Sequence, residues 1–157
     1  MRWISRAAML DAMWIALGIV PSLALVLWLI DAEHGLALTS LGSTAILLFC
    51  FPTHEASRPV AVLVSHLLGA ALGIALLQMF GASVWTMGLG VALIAIVMKL
   101  FNIMHPPAGA NPLIVLNLKS SWLFLAYPLL PALLIMLAAT LIWSRLRPGP
   151  RWPLRWI

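Results

Sequence analysis

Long stretches of apolar residues alternate with short polar interruptions along this chain. Four of the stretches, at about 9–30, 59–80, 84–104 and 121–144, have close to the length needed to cross a lipid bilayer. A transmembrane helix needs about 20 mostly apolar residues. The pattern therefore predicts four long membrane-spanning helices.

Two further apolar segments are shorter and have a different pattern. They lie at about 36–51 and 105–118, and each contains polar residues with glycine or proline in its first half and apolar residues in its second. The second segment begins HPPAGANPLIVL, which cannot form an ordinary membrane helix because prolines remove backbone donors and irregular backbone is costly in lipid. We expect each segment to contain a half-helix that begins inside the membrane.

The order of long and short segments is the same in both halves of the chain. Residues 1–80 and 84–144 each contain a long helix, a short interrupted segment and a second long helix. Three spans in each half would turn the second half upside down relative to the first, as in many secondary transporters. We therefore predict an all-α membrane protein with a single transmembrane domain over 1–157, built as a 3+3 inverted repeat with a basic cytoplasmic tail at 145–157.

The overall composition changes this picture little and excludes other classes of protein. Hydrophobic residues make up 64% of the chain and charged residues 8%, which is more apolar surface than a soluble domain of this size can bury. The net charge of +5 arises largely from arginines near the chain ends, where cations act as topology signals, so no nucleic-acid partner is expected. Cys50 is the single cysteine, which excludes an intrachain disulfide and a metal-thiolate site.

The cationic residues also predict an orientation. With both termini in the cytoplasm, eight of the nine Lys and Arg residues lie inside and Lys119 alone lies outside, as the positive-inside rule requires. We expect an integral protein of a bacterial inner membrane, with a retained first helix rather than a cleaved signal peptide. Trp residues lie at predicted helix ends, where aromatic side chains favour the membrane interface: these are Trp28, Trp85, Trp122 and Trp143.

The two half-helix starts predict a binding site for a small anion. A helix N-terminus carries unpaired N–H groups and a partial positive charge, and the starts near Gly42 and Asn111 would face each other near the middle of the membrane. Glycine permits close approach of the backbone to a ligand, and proline suits a first helical turn. The predicted substrate-binding residues are Thr39, Ser40, Gly42, Ser43, Thr44, His105, Pro106, Pro107, Ala108, Gly109, Ala110 and Asn111.

Other polar residues near the predicted site have two interpretations each. His66 either lines the pathway or bonds one helix to another. His105 is either a ligand of the substrate or of a proton, or an interfacial residue whose hydrogen bonds fix the turn, and it could add pH sensitivity either way. Lys99 either belongs to the pathway or extends its ammonium to the cytoplasmic interface. For Asp11 we expect pairing with headgroups or loops.

Small residues predict where helices pack closely. Ser65, Gly69 and Gly73 repeat every four residues, which favours close packing inside the bundle or between protomers. A bundle of six segments has little protein to shield two broken helices from lipid. We therefore expect a homo-oligomer, and specifically a dimer.

The segment from His105 to Ala110 resembles the signature of the HPP family of integral membrane proteins, named after the triplet His105-Pro106-Pro107. Arg58-Pro59, followed by Ser65-His66-Leu67-Leu68 and Gly73, also resembles the third span of that family, and the resemblance extends to about residue 144. It implies membrane localisation and, from relatives in plant chloroplasts and cyanobacteria, nitrite transport. Some relatives carry a regulatory C-terminal CBS pair; the chain stops short of one, so regulation by adenine nucleotides is not expected.

These observations lead to one main functional prediction and several alternatives. We predict a transporter or channel for a small monovalent anion, with nitrite implied by the resemblance and with neither a cofactor nor a metal. The alternatives are a non-transporting assembly or scaffold protein and a cation or proton-coupled carrier, although a cation carrier would normally need acids inside the membrane. An enzyme is not expected, because no paired carboxylates, metal cluster or nucleophile with a base occur at helical spacing.

Overall fold

The computed structural model describes residues 5–30 and 38–157, and within them the regular elements are helical, with no β-strand. Residues 36 and 37 of the first short segment lie outside the described ranges. The described helices are α1 (Arg6–Ile30), α2 (Ser40–Cys50), α3 (Pro59–Phe80), α4 (Val84–Leu100), α5 (Asn111–Leu118) and α6 (Leu130–Leu146). Two 3-10 turns (Glu55–Ser57 and Pro106–Ala110) and a π-helical turn (Leu125–Leu129) complete the regular elements of these ranges.

Three helical stretches of the described chain are long and apolar enough to cross a membrane. They are Arg6–Ile30, Pro59–Phe80 and Leu125–Leu146. The predicted helix at 59–80 has the same bounds in the structure, and the predicted helix at 9–30 begins three residues earlier. The half-helix starts also agree with the prediction, because α2 begins two residues before Gly42 and α5 begins at Asn111.

The third of the four long predicted spans, at 84–104, is shorter than expected. α4 has 17 residues and ends at Leu100, whereas the apolar pattern predicted a helix as far as residue 104. Asn102 adopts a left-handed φ of 53°, and its N–H bonds to the Lys99 carbonyl at 3.4 Å, so the backbone leaves the helix there. A rise of about 1.5 Å per residue makes α4 about 25 Å long, slightly less than the roughly 30 Å of hydrocarbon in a bilayer.

The last long segment is interrupted rather than continuous. Residues 121–144 were predicted to form one span, but the regular part, α6, starts at Leu130. Before it, Tyr127 has non-helical dihedral angles (φ −154°, ψ 126°) inside the π-helical turn. Pro128 explains this interruption, because proline lacks an N–H and displaces the preceding residue from helical dihedral angles.

α5 is held closely between α3 and α4. A Cβ added at Gly73 of α3 would lie 2.3 Å from Val115 Cγ2 and 2.8 Å from Pro112 Cα, and one added at Gly90 of α4 would lie 2.7 Å from Pro112 Cβ. A Cβ added at Gly69 would lie 2.8 Å from the Ala108 carbonyl oxygen. The small residues of α3 therefore allow the broken segment to approach the bundle interior, and this stripe packs within the protomer.

α1 packs against α6 and α2 at the other side of the bundle. Trp143 of α6 is buried, lies edge-on to Phe49 of α2 with a 4.9 Å centroid distance, and donates its indole N–H to the Trp14 carbonyl at 2.7 Å. The prediction of an interfacial role for Trp143 is therefore wrong: its side chain is buried, and its indole N–H bonds to another helix of the bundle. Trp28 and Trp85 are exposed, as expected for interfacial residues.

Cationic residues collect at one end of the bundle. Asp11 of α1 forms an ion pair with Arg147, which follows α6, so it has a partner of the kind expected. Arg58 at the start of α3 donates to the Asn102 carbonyl, which brings the end of α4 and its Lys99 to the same level. Lys119 lies beyond the C-terminus of α5, at the opposite end.

The tail at 145–157 folds back onto this basic end. Trp152 is buried, its indole N–H bonds to the Ser57 carbonyl at 2.7 Å, and its own carbonyl accepts from Ser144 Oγ at 3.1 Å. The Val60 N–H bonds to the Trp156 carbonyl at 3.3 Å. The tail is therefore a packed part of the domain, beside the loop between α2 and α3.

Candidate functional site

Five polar side chains from three parts of the chain meet in the interior. We call them the histidine cluster: Ser40 and Thr44 of α2, His66 of α3, and His105 and Asn111 of the second broken segment. Their exposed fractions range from 0% to 4%. Burying so many polar groups in a membrane bundle is costly unless they bond to one another.

The local sequence explains how these side chains reach the interior. Thr44 lies one turn into α2, on the same face as buried Ser40, Leu41, Ala45 and Leu48. His105 precedes a 3-10 turn that begins with Pro106, and Asn111 is the first residue of α5, with Pro112 in its first turn. Proline at these positions costs no helical hydrogen bond, so the chain can turn here and start α5 inside the bundle.

The hydroxyl of Thr44 connects the two histidines. Its Oγ1 lies 2.8 Å from His66 Nε2 and 3.1 Å from His105 Nε2. It also lies 3.1 Å from the Ser40 carbonyl, one turn earlier in α2. The two imidazole rings are tilted by 53°, with centroids 5.1 Å apart. A single hydroxyl thus joins α2, α3 and the second broken segment.

The partners of the two Nδ1 atoms determine which nitrogen of each histidine carries the hydrogen. His105 Nδ1 lies 2.7 Å from the Ala56 carbonyl, which can only accept, so Nδ1 carries a hydrogen. Asn111 Nδ2 donates to the His66 carbonyl at 2.8 Å, which fixes the orientation of the amide, and the same nitrogen lies 3.0 Å from His66 Nδ1. His66 Nδ1 is therefore an acceptor, and its hydrogen lies on Nε2, directed at Thr44.

Both half-helices begin beside this cluster. The α2 start is tightened by a bond from the Gly42 N–H to the Thr39 carbonyl at 3.2 Å, and the Asn111 N–H bonds to the Ala108 carbonyl. The backbone N–H groups of Gly42 and Asn111 are therefore not free to bind a ligand. Ser40 Oγ, in the first turn of α2, is buried and has no hydrogen-bond partner in the described part of the chain.

The other predicted binding residues lie around the cluster rather than in it. Thr39, Ser43 and Pro106 are exposed, and Ala108 is buried against α3. Half-buried positions are Gly42, Pro107, Gly109 and Ala110. An added Cβ would meet no atom within 4 Å at Gly42 or at Gly109. The structure thus separates the predicted set into a buried part and an outer part with open space at two glycines.

His66 and Lys99 occupy different environments. His66 bonds to residues of α2 and α5, as expected for a helix-to-helix role, whereas Lys99 is exposed in the last turn of α4. His105 holds the turn through hydrogen bonds, as one of its two interpretations expects, and its ring is fully buried. The reason is that the Ala56 carbonyl and the Thr44 hydroxyl give its ring two partners in the interior.

Two participants were not predicted as parts of the site. The Ala56 carbonyl belongs to the loop between α2 and α3, and a backbone acceptor leaves no signal in the residue types. Ser65 Oγ donates to the Ile103 carbonyl at 2.5 Å and so fixes the chain just before His105. The sequence indicated a role for Ser65 in that it directly precedes His66.

A pocket of about 260 Å³ opens at the basic end of the bundle, next to the loop that bonds His105. Its lining includes His54, Glu55, Ser57, Arg58 and, from the tail, Arg155. Ala56, which bonds His105, lies between two of these residues in the chain. Groups of three metal-ligating side chains do not occur in 5–30 and 38–157.

Comparison with known proteins places the chain among membrane proteins. A transmembrane protein of Dictyostelium discoideum is 28% identical over 135 residues, which cover 81% of this chain and 47% of that protein, so the chain spans about half of its relative's length. No solved structure matches the chain significantly. The sequence profile described as "HPP, transmembrane region" matches residues 4–153. The chain is an integral membrane protein and belongs to the HPP transmembrane family.

Proposed function

We propose that this protein is a membrane transporter or channel for a small monovalent anion, with nitrite as its substrate. The binding site lies near the middle of the membrane, between the starts of α2 and α5. The observation that carries the proposal is that both half-helices start at one buried polar cluster, where the Ser40 hydroxyl has no partner among residues 5–30 and 38–157.

The chemistry of a helix start supports an anion rather than a cation. The first N–H groups of a helix point along its axis and carry a partial positive charge. The Gly42 and Asn111 N–H groups are already bonded, so the anion relies on the remaining N–H groups of the first turn of α2 and on Ser40 Oγ. α2 has 11 residues, enough to develop a helix dipole.

The cluster also lacks the groups that a cation carrier needs. Its five side chains include no carboxylate, and Asp11 is paired with Arg147 away from the cluster. No Lys or Arg side chain belongs to the cluster either, so a bound anion has no fixed counter-charge. Weak binding of this kind allows the ion to leave again, which transport requires.

The architecture we propose is an inverted repeat in a bacterial inner membrane. The halves are 1–80 and 84–144, with α2 and α5 as corresponding half-helices and α4 as a short fourth span. Both termini lie in the cytoplasm, since the basic end of the bundle carries Arg58, Arg147 and the tail arginines. We further propose a homodimer, because Thr39 and Ser43 of α2 are exposed and a second protomer would cover them.

Substitution of Gly109 tests the location of the site. Leucine there meets open space in the protomer, so the protein is expected to fold, while the side chain enters the region beside the α5 start. We expect nitrite uptake by the purified variant in liposomes to fall at least about tenfold, which is the effect of about 1.4 kcal/mol if it arises wholly from weaker binding.

Gly88 supplies the matched control. It is also a helix residue around which an added Cβ meets nothing within 4 Å, but it lies in α4 away from the cluster. Gly88→Leu is expected to retain uptake. Unchanged uptake by Gly109→Leu would reject a site at the half-helix starts and would favour the scaffold interpretation of the broken segments.

A further inference from the structure

The histidine cluster has room for one additional proton without losing a hydrogen bond. In the arrangement described above, His66 donates from Nε2 to Thr44, and His105 donates from Nδ1 to Ala56. The Thr44 hydroxyl hydrogen therefore has two acceptors available, His105 Nε2 at 3.1 Å and the Ser40 carbonyl at 3.1 Å. The hydroxyl can rotate from one to the other.

We propose that His105 binds a proton at Nε2, that Thr44 then turns its hydroxyl hydrogen to the Ser40 carbonyl, and that this proton travels with the anion. One N–H bond forms at His105, no covalent bond breaks in the protein, and Thr44 changes from donor to acceptor toward His105. The coupling rests on the function proposed above, while the proton site itself rests on the hydrogen-bond geometry.

The same geometry argues against His66 as the proton site. Its Nδ1 faces the Asn111 amide nitrogen, so a hydrogen there would oppose the amide hydrogens. Rotating the amide by half a turn would bring its oxygen against the His66 carbonyl, which Nδ2 now contacts at 2.8 Å. Protonated His66 would therefore lose one bond in either orientation of the amide, whereas protonated His105 loses none.

Burial couples the proton to the anion. A charged imidazolium in a buried cluster is costly unless a counter-charge lies nearby. An anion bound at the α2 start, one turn from Thr44, supplies that charge, so the proton and the anion each favour binding of the other. Two protons would repel each other, because the rings lie 5.1 Å apart.

The surroundings of His105 contain few other groups that could change its charge. His66 is the ionisable group in ring contact with it in the described structure. The elements packed around His105 also carry the following titratable or charged residues, none of them in the cluster: Cys50, His54, Glu55, Arg58 and Lys99. The pocket at the basic end includes His54 and Glu55.

Uptake under separate gradients tests the coupling. Nitrite uptake is measured in liposomes under an inward proton gradient and, separately, under a membrane potential set with valinomycin and potassium. Protein-free liposomes correct for passive passage of nitrous acid. One proton per monovalent anion predicts electroneutral uptake, driven by the proton gradient and unaffected by the potential. Uptake that follows the potential alone would overturn the coupling and leave anion transport intact.

Variants at Thr44 connect this behaviour to the cluster. Thr44→Val removes the rotating hydroxyl, so its uptake is expected to lose the response to the proton gradient, whereas Thr44→Ser keeps the hydroxyl and the response. Thr140→Val is the matched control, because Thr140 is also buried but bonds to the Met136 carbonyl within α6. A Thr44→Val protein that still follows the proton gradient would overturn the role of Thr44.

Nitrogen-15 NMR of labelled histidines tests the proton site without any flux. His105, assigned by loss of its signal in His105→Gln, should hold its hydrogen on Nδ1 without anion and on both nitrogens with saturating nitrite, while His66 keeps its hydrogen on Nε2. Protonation of His66 instead, or a neutral His105 in nitrite-loaded protein, would overturn the assignment. Absence of uptake under every gradient would overturn the proposed anion transport and its coupling together; acid titration of His105 before His66 would still support the proton site.

Discussion

At the scale of single residues, the feature with the most consequences is that Thr44 Oγ1 touches two imidazoles from distant parts of the chain. Positions 44, 66 and 105 contribute one side chain each, and every ring nitrogen of the two histidines has a partner within 3.1 Å. Such a network specifies a single packing of three segments. Membrane helices otherwise have weak specificity, because lipid is as apolar as the core.

Asn111 should hold His66 in its present tautomer. Asn111→Ala removes the amide that donates to His66 Nδ1 and to the His66 carbonyl. Leaving a buried acceptor unpaired costs about 1–3 kcal/mol, so we expect reduced thermal stability in detergent and, by nitrogen-15 NMR, loss of the fixed His66 tautomer. Asn117→Ala, at an exposed position of the same helix, is the control. Equal stability of both variants would contradict the structural role of the amide.

At the scale of elements, α5 owes its place in the bundle to small residues on its neighbours. The 3-10 turn Pro106–Ala110 leads directly into α5, and together they fill the space between α3 and α4. Ile94 and Met98 of α4 pack with Ala108 as a small apolar cluster beside this turn. The position of His105 and Asn111 therefore depends on how closely α3 and α4 approach the broken segment.

Gly73 is the position where that approach is tightest on α3. Gly73→Ala places a Cβ 2.3 Å from Val115 Cγ2 and 2.8 Å from the Pro112 backbone, and overpacking of this kind costs about 1–3 kcal/mol. We expect a lower thermal unfolding temperature in detergent and reduced anion uptake. Gly88→Ala, with open space around it, should be neutral or slightly stabilising. A Gly73→Ala protein as stable as the unsubstituted one would show that α5 is less constrained than described.

The sequence predicted individual elements well where length and proline position decide them. The bounds of α3 and the start of α5 followed from an apolar run and from proline at the first turn. The end of α4 did not, because the left-handed Asn102 lies in a run that is otherwise apolar. The buried position of Trp143 could not be predicted either, because its indole N–H bonds to the Trp14 carbonyl, 129 residues away in the chain.

At the scale of the whole molecule, the bundle has one strongly basic end, and the tail and the α2–α3 loop meet there around Trp152 and Ser57. The main apolar core includes buried residues of α1, α2, α3 and α6, while α4 packs mainly on α3 and α5. This arrangement gives the two broken segments protein neighbours on their buried sides and leaves open space at Gly42 and Gly109.

The sequence predicted which positions belong to the candidate site, but not which of their side chains contact one another. Both broken segments were identifiable from polar residues and prolines inside apolar sequence, and His66 from its place within a long span. Which face of each helix points inward could not be predicted, since apolar residues cover both the lipid-facing and the interior faces of a membrane helix. For that reason the sequence predicted both Ser43 and Thr44 as binding residues, although the structure leaves Ser43 exposed and buries Thr44.

Anion transport is tested most directly by uptake of nitrite into liposomes that contain the purified protein. Nitrate, chloride and formate serve as competitors, and protein-free liposomes give the background. We expect saturable uptake well above background, reduced by competing small anions. Absence of uptake of any small anion in either direction, by protein shown to be folded and inserted, would contradict anion transport and leave the histidine cluster as a structural device.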